Sequence, residues 1–385
     1  MVLKKLILAL VFVSLNLYSQ QFSILTCDQG DEVYSTFGHS AIRYQDSFQG
    51  IDWVYNYGLF DFSDPKFIPK FCLGKLDYMV GKQDMSSFMA DYEYNGRRVE
   101  DQQINLTKGQ SDSLLRFLEW NILDENKFYR YDFLFNNCAT RIIDILEQNC
   151  AGVNLKFAKN IQRYTFRQLI HQNAMTSVPW IDWGMDLGIG MPADRVASDR
   201  ELCFLPSYIS QAMNLSTNKA NGLKLVGKTQ ELLPNRSLAA NNLWIFKPAF
   251  FALICGLLFF VFGRFERKFL KNTVGTICIL MGIGGLVLSF LWFCTEHSVT
   301  KNNLNVLWMN PLLLILGFQI LKNKVKYEFA VFLHICLIAS FFLGPILDFQ
   351  EFSTASRWLN IGLVFLTTRC VIKGWRVRES IKTNI

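Results

Sequence analysis

The apolar positions of this chain follow two regimes: short bursts up to about residue 240, and long unbroken runs from Leu243 onward. In the first regime, Phe37–Tyr44 and Ile51–Tyr57 are rich in aromatic and β-branched residues and flank the polar stretch Gln45–Gly50. This pattern predicts a β-hairpin. Thr107–Gln110 has capping-box spacing ahead of Leu114, Leu115, Phe117, Leu118 and Ile122, which recur at helical intervals. A second helix is predicted from Asn137, with Cys138, Ile142, Ile145 and Leu146 along one face. Pro179–Pro206 is turn-rich and gives its Asp182, Asp186 and Asp194 no evident role, and polar residues 212–242 read as a linker.

The second regime predicts five membrane-spanning helices: Leu243–Phe262, Thr273–Cys294, Leu304–Leu321, Phe329–Leu347 and Trp358–Ile372. The last is the shortest, because Arg357 and Arg369 bracket it and must snorkel to the two interfaces. Eleven Lys/Arg fall in the loops after the first and third runs and behind the fifth, against two, Lys301 and Arg357, in the others. The basic set therefore belongs in the cytoplasm. Lys4 and Lys5 ahead of the apolar run Leu6–Leu17 have the form of a secretory signal peptide, too short to span a bilayer. Export of the N-terminal region and a cytoplasmic C-terminus require an odd number of spans, as five supplies. The expected organisation is a signal peptide (1–20), an exported domain (21–211), a linker (212–242), a five-helix membrane domain (243–372) and a cytoplasmic tail (373–385).

Composition agrees: 51% of residues are apolar and only 18% charged, which excludes a disordered chain or a plain soluble enzyme. The net charge of +7 does not point to nucleic acid. Residues 1–240 hold 24 Lys/Arg and 26 Asp/Glu, so the excess lies wholly in the apolar tail, where it reports topology.

The exported region holds five cysteines, Cys27, Cys72, Cys138, Cys150 and Cys203, so at least one lacks an intramolecular partner. No Cys/His spacing suits a metal, and neither metal nor soluble cofactor is expected. Cys138 is the candidate free thiol, because Asn137 can cap the helix it begins. Lowering a thiol from about 8.5 to about 6 takes roughly 3.4 kcal/mol, of which a helix terminus gives at most about 2. An imidazolium should supply the rest. The exported histidines are His39, within a predicted strand, and His171, on what reads as a solvated helix face. If the hairpin pairs Tyr44 with Ile51, Asn56 faces His39 and can fix its tautomer. Thiol, base and orienter are then Cys138, His39 and Asn56, the set needed for nucleophilic acyl transfer. The bland alternatives are a core histidine, a strand-ending asparagine and a Cys138–Cys150 disulfide.

Tyr129–Arg141 (Tyr-Arg-Tyr-Asp-Phe-Leu-Phe-Asn-Asn-Cys-Ala-Thr-Arg), with Thr36-Phe37-Gly38-His39-Ser40 and Tyr55–Phe62, resembles the Lnb family of bacterial lipoprotein N-acyltransferases. The resemblance continues through His297–Pro311. It implies an α+β permuted papain-like (NlpC-type) exported domain, related to lecithin:retinol acyltransferase, followed by an all-α membrane domain of about five transmembrane helices. It further implies an enzyme of the bacterial inner membrane with its catalytic domain in the periplasm, Cys138 as nucleophile and His39 as base. A phospholipid would be the acyl donor and a lipoprotein the acceptor. Lecithin:retinol acyltransferase has a histidine as third residue and none stands in the second strand here, so Asp52 and Asp61 are substitutes for Asn56. His297, Asn303 and Asn305 would line the lipid entrance, or simply cap their loop; His334 reads as an interhelical hydrogen-bonding residue. The alternatives in function are an NlpC-type cell-wall peptidase or amidase and a noncatalytic membrane-anchored binding module.

Overall fold

A computed structural model describes residues 20–175, 177–236, 243–262, 268–347 and 349–382. The expected signal peptide, and Arg264 and Arg267 of the basic loops, lie outside the described residues. The chain forms two compact units. One gathers the chain up to Ile68 with Lys75–Arg163 and Ala197–Ala239; the other gathers Pro69–Gly74, Tyr164–Val196 and Ala240–Ile385.

The first unit is built on a seven-stranded antiparallel sheet. Its strands are β1 (Gln20–Cys27), β2 (His39–Asp46), β3 (Ile51–Leu59), β4 (Asp77–Asp84), β5 (Val99–Ile104), β6 (Phe128–Arg130) and, after three short strands β7 (Val153–Asn154), β8 (Thr217–Asn218) and β9 (Leu223–Lys224), β10 (Val226–Leu233). The order is β10-β5-β1-β2-β3-β4-β6, and β7-β8-β9 form a separate small sheet. Strand alternation sorts the two faces. Phe22, Ile24, Ile42, Tyr44, Tyr55 and Tyr57 pack against Leu114 and Leu118 of the Lys108–Asn121 helix, Ile142 and Leu146 of the Cys138–Asn149 helix, and Ile209 and Met213 of the Pro206–Leu215 helix. Leu25, Cys27, Ala41 and Val54 face Phe88 and Tyr92 of the Met85–Tyr94 helix. Thr107 caps its helix by the reciprocal bonds its spacing predicts, with Gln110 N–H on its side chain and its own N–H on Gln110 Oε1.

Two expectations need correcting here. Of the expected linker 212–242, residues 237–242 lie outside the described residues, and the part before them is not free, since β10 pairs with β5 along its length and closes one edge of the sheet. The hairpin register is also shifted by two residues: Asp46 pairs with Ile51 and Tyr44 with Trp53. The cause is the turn. Asp46 Oδ1 accepts the N–H groups of Phe48 and Gln49 at 3.0 and 3.2 Å, and Gly50 takes φ +66°, so the chain reverses within Ser47–Gly50 and Gln45 and Asp46 stay in the strand.

In the second unit, the Lys268–Cys294 helix packs along the Asn305–Trp308 and Leu313–Leu321 helices, and the Thr354–Lys382 helix along Pro248–Val261 and Tyr327–Phe341. Small residues permit the closest approach. A Cβ added to Gly317 would stand 2.6 Å from the Gly275 carbonyl oxygen. Lys268–Cys294 and Tyr327–Gly344 are long and apolar enough to cross a membrane; Pro248–Val261 and Asn305–Leu321 are shorter apolar helices. The expected third span is interrupted between Trp308 and Leu313, where Pro311 lies and Asn310 Oδ1 accepts the Leu312 N–H. The expected fifth falls inside a 29-residue helix whose basic residues lower its hydropathy. His334 Nδ1 bonds Thr367 Oγ1 at 2.9 Å between two helices.

The segment Tyr164–Val196 belongs to this unit, and its acids have definite partners. Arg167, fully enclosed, bonds Asp186 at 2.6 Å and Asp194 at 2.8 Å as well as the carbonyls of Ile189 and Gly190. Asp182 holds His171 Nδ1 at 2.7 Å, so His171 is paired rather than merely solvated. Arg167→Ala leaves two buried carboxylates without their cation and should cost about 3–5 kcal/mol. Lys159→Ala removes a cation from the exposed pair with Asp199, where solvent screens the attraction, and should leave the melting temperature nearly unchanged. Thermal unfolding of both variants in detergent checks the contrast.

Candidate active site

The site lies in the first unit, where β2 and β3 part. Their ladder ends at Ile42–Tyr55. Beyond it, His39–Ala41 pair only with β1, while Asn56 and Tyr57 pair with β4. Gly38 begins the diverging stretch with φ +78°, and a Cβ there would sit 2.7 Å from the Cys27 carbonyl oxygen, so this turn into β2 requires glycine. Gly58, at φ +92°, carries β3 past the opening beside Cys138.

Into this opening comes the first residue of the Cys138–Asn149 helix. Asn137 fixes it there. Its Oδ1 accepts the Ala139 and Thr140 N–H groups, both at 2.9 Å, and its amide donates to the carbonyls of Phe133 and Phe204 at 2.9 and 2.8 Å. Upstream, Asp132 Oδ1 accepts from Leu134 and Phe135, and Asn136 donates to the Arg130 carbonyl, so the whole approach to Cys138 is braced. The backbone N–H groups of Ser40, the neighbour of His39, and of Ala139 and Cys138 itself favour the thiolate form of the Cys138 sulfur. A disulfide to Cys150 is excluded by geometry. The two thiols stand at opposite ends of one helix, about 18 Å apart along its axis, where a bridge needs Cα atoms within about 7 Å. All ten cysteines are free.

His39 Nε2 lies 2.6 Å from Asn56 Oδ1. An amide oxygen only accepts, so Nε2 carries the proton and Nδ1 keeps its lone pair as the basic nitrogen. The expected partner is met by a different route from the expected one. With the register shifted, Asn56 reaches His39 as a diagonal neighbour on the same face rather than from directly opposite. The two acidic substitutes are engaged elsewhere: Asp52 accepts both Nε and Nη2 of Arg43, and Asp61 accepts the N–H and hydroxyl of Ser63 in an exposed turn.

The electrostatics differ from the ion pair that the sequence suggested. Burial pushes the Cys138 thiol up to about 11, the three backbone N–H groups offsetting only part of it. Burial likewise lowers His39 to about 4; the Asn56 bond opposes this and the nearby Arg97 guanidinium adds to it. Between these values both groups are neutral. The resting site is a thiol and an imidazole.

Of the other predicted residues, Asn303 and Asn305 are fully buried in the second unit and spend their amides on the carbonyls of Asp186, Leu187 and Gly188; Asn305 also accepts Trp308 Nε1. Gln350 bonds both Asn303 and the Leu304 N–H. This is the capped-loop arrangement rather than an open lining. His297 is more accessible, with Nε2 3.1 Å from the Phe71 carbonyl oxygen. The structure thus gathers His39, Asn56 and Cys138 in one unit and gives Asn303 and Asn305 architectural work in the other. Sequence reading missed Ser40, whose contribution is a backbone N–H that residue type does not reveal.

The neutral pair fixes a pH dependence. A thiol held near 11 is protonated at neutrality, so alkylation of Cys138 by iodoacetamide should accelerate about tenfold per pH unit from 6 to 9, with no inflection near 6.5. Peptide-resolved mass spectrometry measures this rate; a plateau between pH 5 and 8 would instead reveal a thiolate–imidazolium pair.

Comparison with known proteins gives two matches. Residues 12–172 match the family model described as the Lnb N-terminal periplasmic domain, and residues 240–379 that of the Lnb transmembrane domain. No curated protein and no solved structure matches the chain.

Proposed function

Because the chain belongs to the Lnb family, as a membrane protein with a periplasmic N-terminal domain, we propose that it is a thiol-dependent lipoprotein N-acyltransferase of the bacterial inner membrane. In this reading the first unit is a permuted papain-like domain of the NlpC and lecithin:retinol acyltransferase type, and the apolar helices of the second span the bilayer five times. The observation that carries the proposal is the pairing of His39 with Asn56 beside a thiol seated on the Ser40 N–H.

The chemistry runs in two halves. The Cys138 sulfur attacks an acyl ester carbon of a phospholipid while His39 Nδ1 takes the thiol proton. A sulfur–carbon bond forms, the ester carbon–oxygen bond breaks, and the proton passes to the leaving alkoxide, releasing lysophospholipid. The α-amine of a diacylglyceryl-cysteine then attacks the thioester; its proton goes to His39 and on to the departing sulfur. The acceptor leaves as an amide. In this reading the backbone N–H groups of Cys138 and Ser40 turn from the sulfur to the oxyanion in both halves. Asn56 keeps Nε2 protonated throughout, so Nδ1 is always the nitrogen that cycles. Neutral resting groups suit this chemistry, since a protonated thiol reacts slowly until a substrate engages it.

Mass spectrometry of lipoprotein N-termini tests the reading. In cells carrying Cys138→Ala, lipoproteins should retain free α-amines where the wild type acylates them. Unchanged lipoproteins together with altered wall cross-links would favour a cell-wall peptidase, and no change in either would favour a binding module. Asn56→Ala should lower the acylation rate by about 10²-fold or more, with the KM for donor little changed, because it removes an interaction that aligns the base. Steady-state kinetics with the purified protein checks this split.

A further inference from the structure

Two buried donors beside the thiol have no partner. Arg141 follows Cys138 by one helical turn on the same side of its helix. Its guanidinium carbon lies 4.8 Å from the Tyr129 ring centre and 5.9 Å from that of Tyr57. Among the described residues its side chain makes no ion pair and no hydrogen bond, and its Nε is fully enclosed without an acceptor. The acids on the same helix are engaged elsewhere, for Asp144 and Glu147 both bind Arg200. The Tyr129 hydroxyl is likewise enclosed, with the Gly58 backbone N–H toward its oxygen but no acceptor for its proton, whereas the Tyr57 hydroxyl is satisfied by Asn121 Oδ1 at 2.8 Å.

An unpaired cation and an orphaned hydroxyl packed together are costly, and the two tyrosine faces compensate the charge only in part. What completes them is an anionic oxygen. Arg141 remains partly accessible, so a ligand can supply one. The helix sets the spacing: three residues, about 4.5 Å of rise, separate the cation's helical position from that of the nucleophile. A glycerophospholipid meets this requirement, because its phosphodiester and its nearer acyl ester are attached to adjacent glycerol carbons. A guanidinium is also the group best shaped to grip a phosphate through two parallel bonds.

We propose that Arg141, with the Tyr129 hydroxyl, holds the phosphate of the acyl donor and places its ester at Cys138, so that the enzyme draws acyl chains from phosphate-bearing lipids and not from neutral glycerides. The assignment rests on the acyl-enzyme reading given above. It makes Arg141 a specificity-determining residue, and it gives the last residue of the Tyr129–Arg141 motif a task.

The test uses the full-length protein in detergent micelles holding either phosphatidylglycerol or diacylglycerol with identical acyl chains, and follows the mass of acylated Cys138. Wild type should acylate at least tenfold faster from phosphatidylglycerol. Arg141→Gln should bring the ratio of the two rates close to one, and Arg141→Lys should restore part of it. Iodoacetamide labelling of Cys138 at the wild-type rate shows that each variant is folded at the site. A wild type indifferent to the phosphate, a ratio unchanged in Arg141→Gln, or an equal fall on both lipids overturns the phosphate assignment. A wild type acylated by neither lipid overturns the acyl-enzyme reading itself, which is a separate failure.

Discussion

The divergence of β2 and β3 beyond Ile42–Tyr55 governs the geometry of the candidate site in the first unit. An intact ladder would engage the Ser40 N–H and leave no room for a helix terminus. Because the strands part, Ser40 can donate to sulfur and Gly58 can pass close by Cys138, while His39 and Asn56 remain near enough to bond. The opening is held from both sides. β1 keeps the His39 end in place and β4 the Asn56 end, so the gap is a rigid feature of the sheet rather than a frayed edge. Asn137 then makes the insertion accurate, with four hydrogen bonds from one side chain fixing the first turn against the loops at Phe133 and Phe204.

Enclosure also explains the charge state. A thiol and an imidazole brought out of water favour their neutral forms, and the few donors present do not reverse this. For the proposed chemistry the consequence is selectivity: a nucleophile that ionises as its substrate carbonyl arrives reacts only slowly with stray electrophiles at neutral pH. The second unit solves a different problem. Its buried Arg167, Asn303, Asn305 and Gln350 tie the Tyr164–Val196 segment to the loops between apolar helices, and each polar group there is matched by a carbonyl or carboxylate.

How far the sequence could be read depended on whether a feature was local. Asn137 as a cap and Thr107–Gln110 as a capping box are signals within four residues, and both are visible as written. The His39–Asn56 contact spans 17 residues, and it was reached through a register wrong by two; a diagonal neighbour on the same face absorbed the error, as a one-residue error would not have. The neutral thiol–imidazole pair was not legible, because desolvation depends on what the sheet and helices enclose. Nor was the role of β10, whose polar sequence reads as linker until β5 offers it an edge. Asn303 and Asn305 looked like lining residues because polar groups in a loop between apolar runs invite that reading; only their burial shows where their amides go.

The central claim is that Cys138 carries the acyl chain between two lipids. Rapid acid quench of the full-length protein mixed with phospholipid, followed by intact-mass and peptide analysis, tests it directly. The account predicts an adduct of one fatty acyl group on Cys138 that neutral hydroxylamine removes and that decays, when a diacylglyceryl-cysteine peptide is added, at the rate the amide product appears. Formation of the amide with no such adduct at any time, or an adduct confined to another residue, would contradict it.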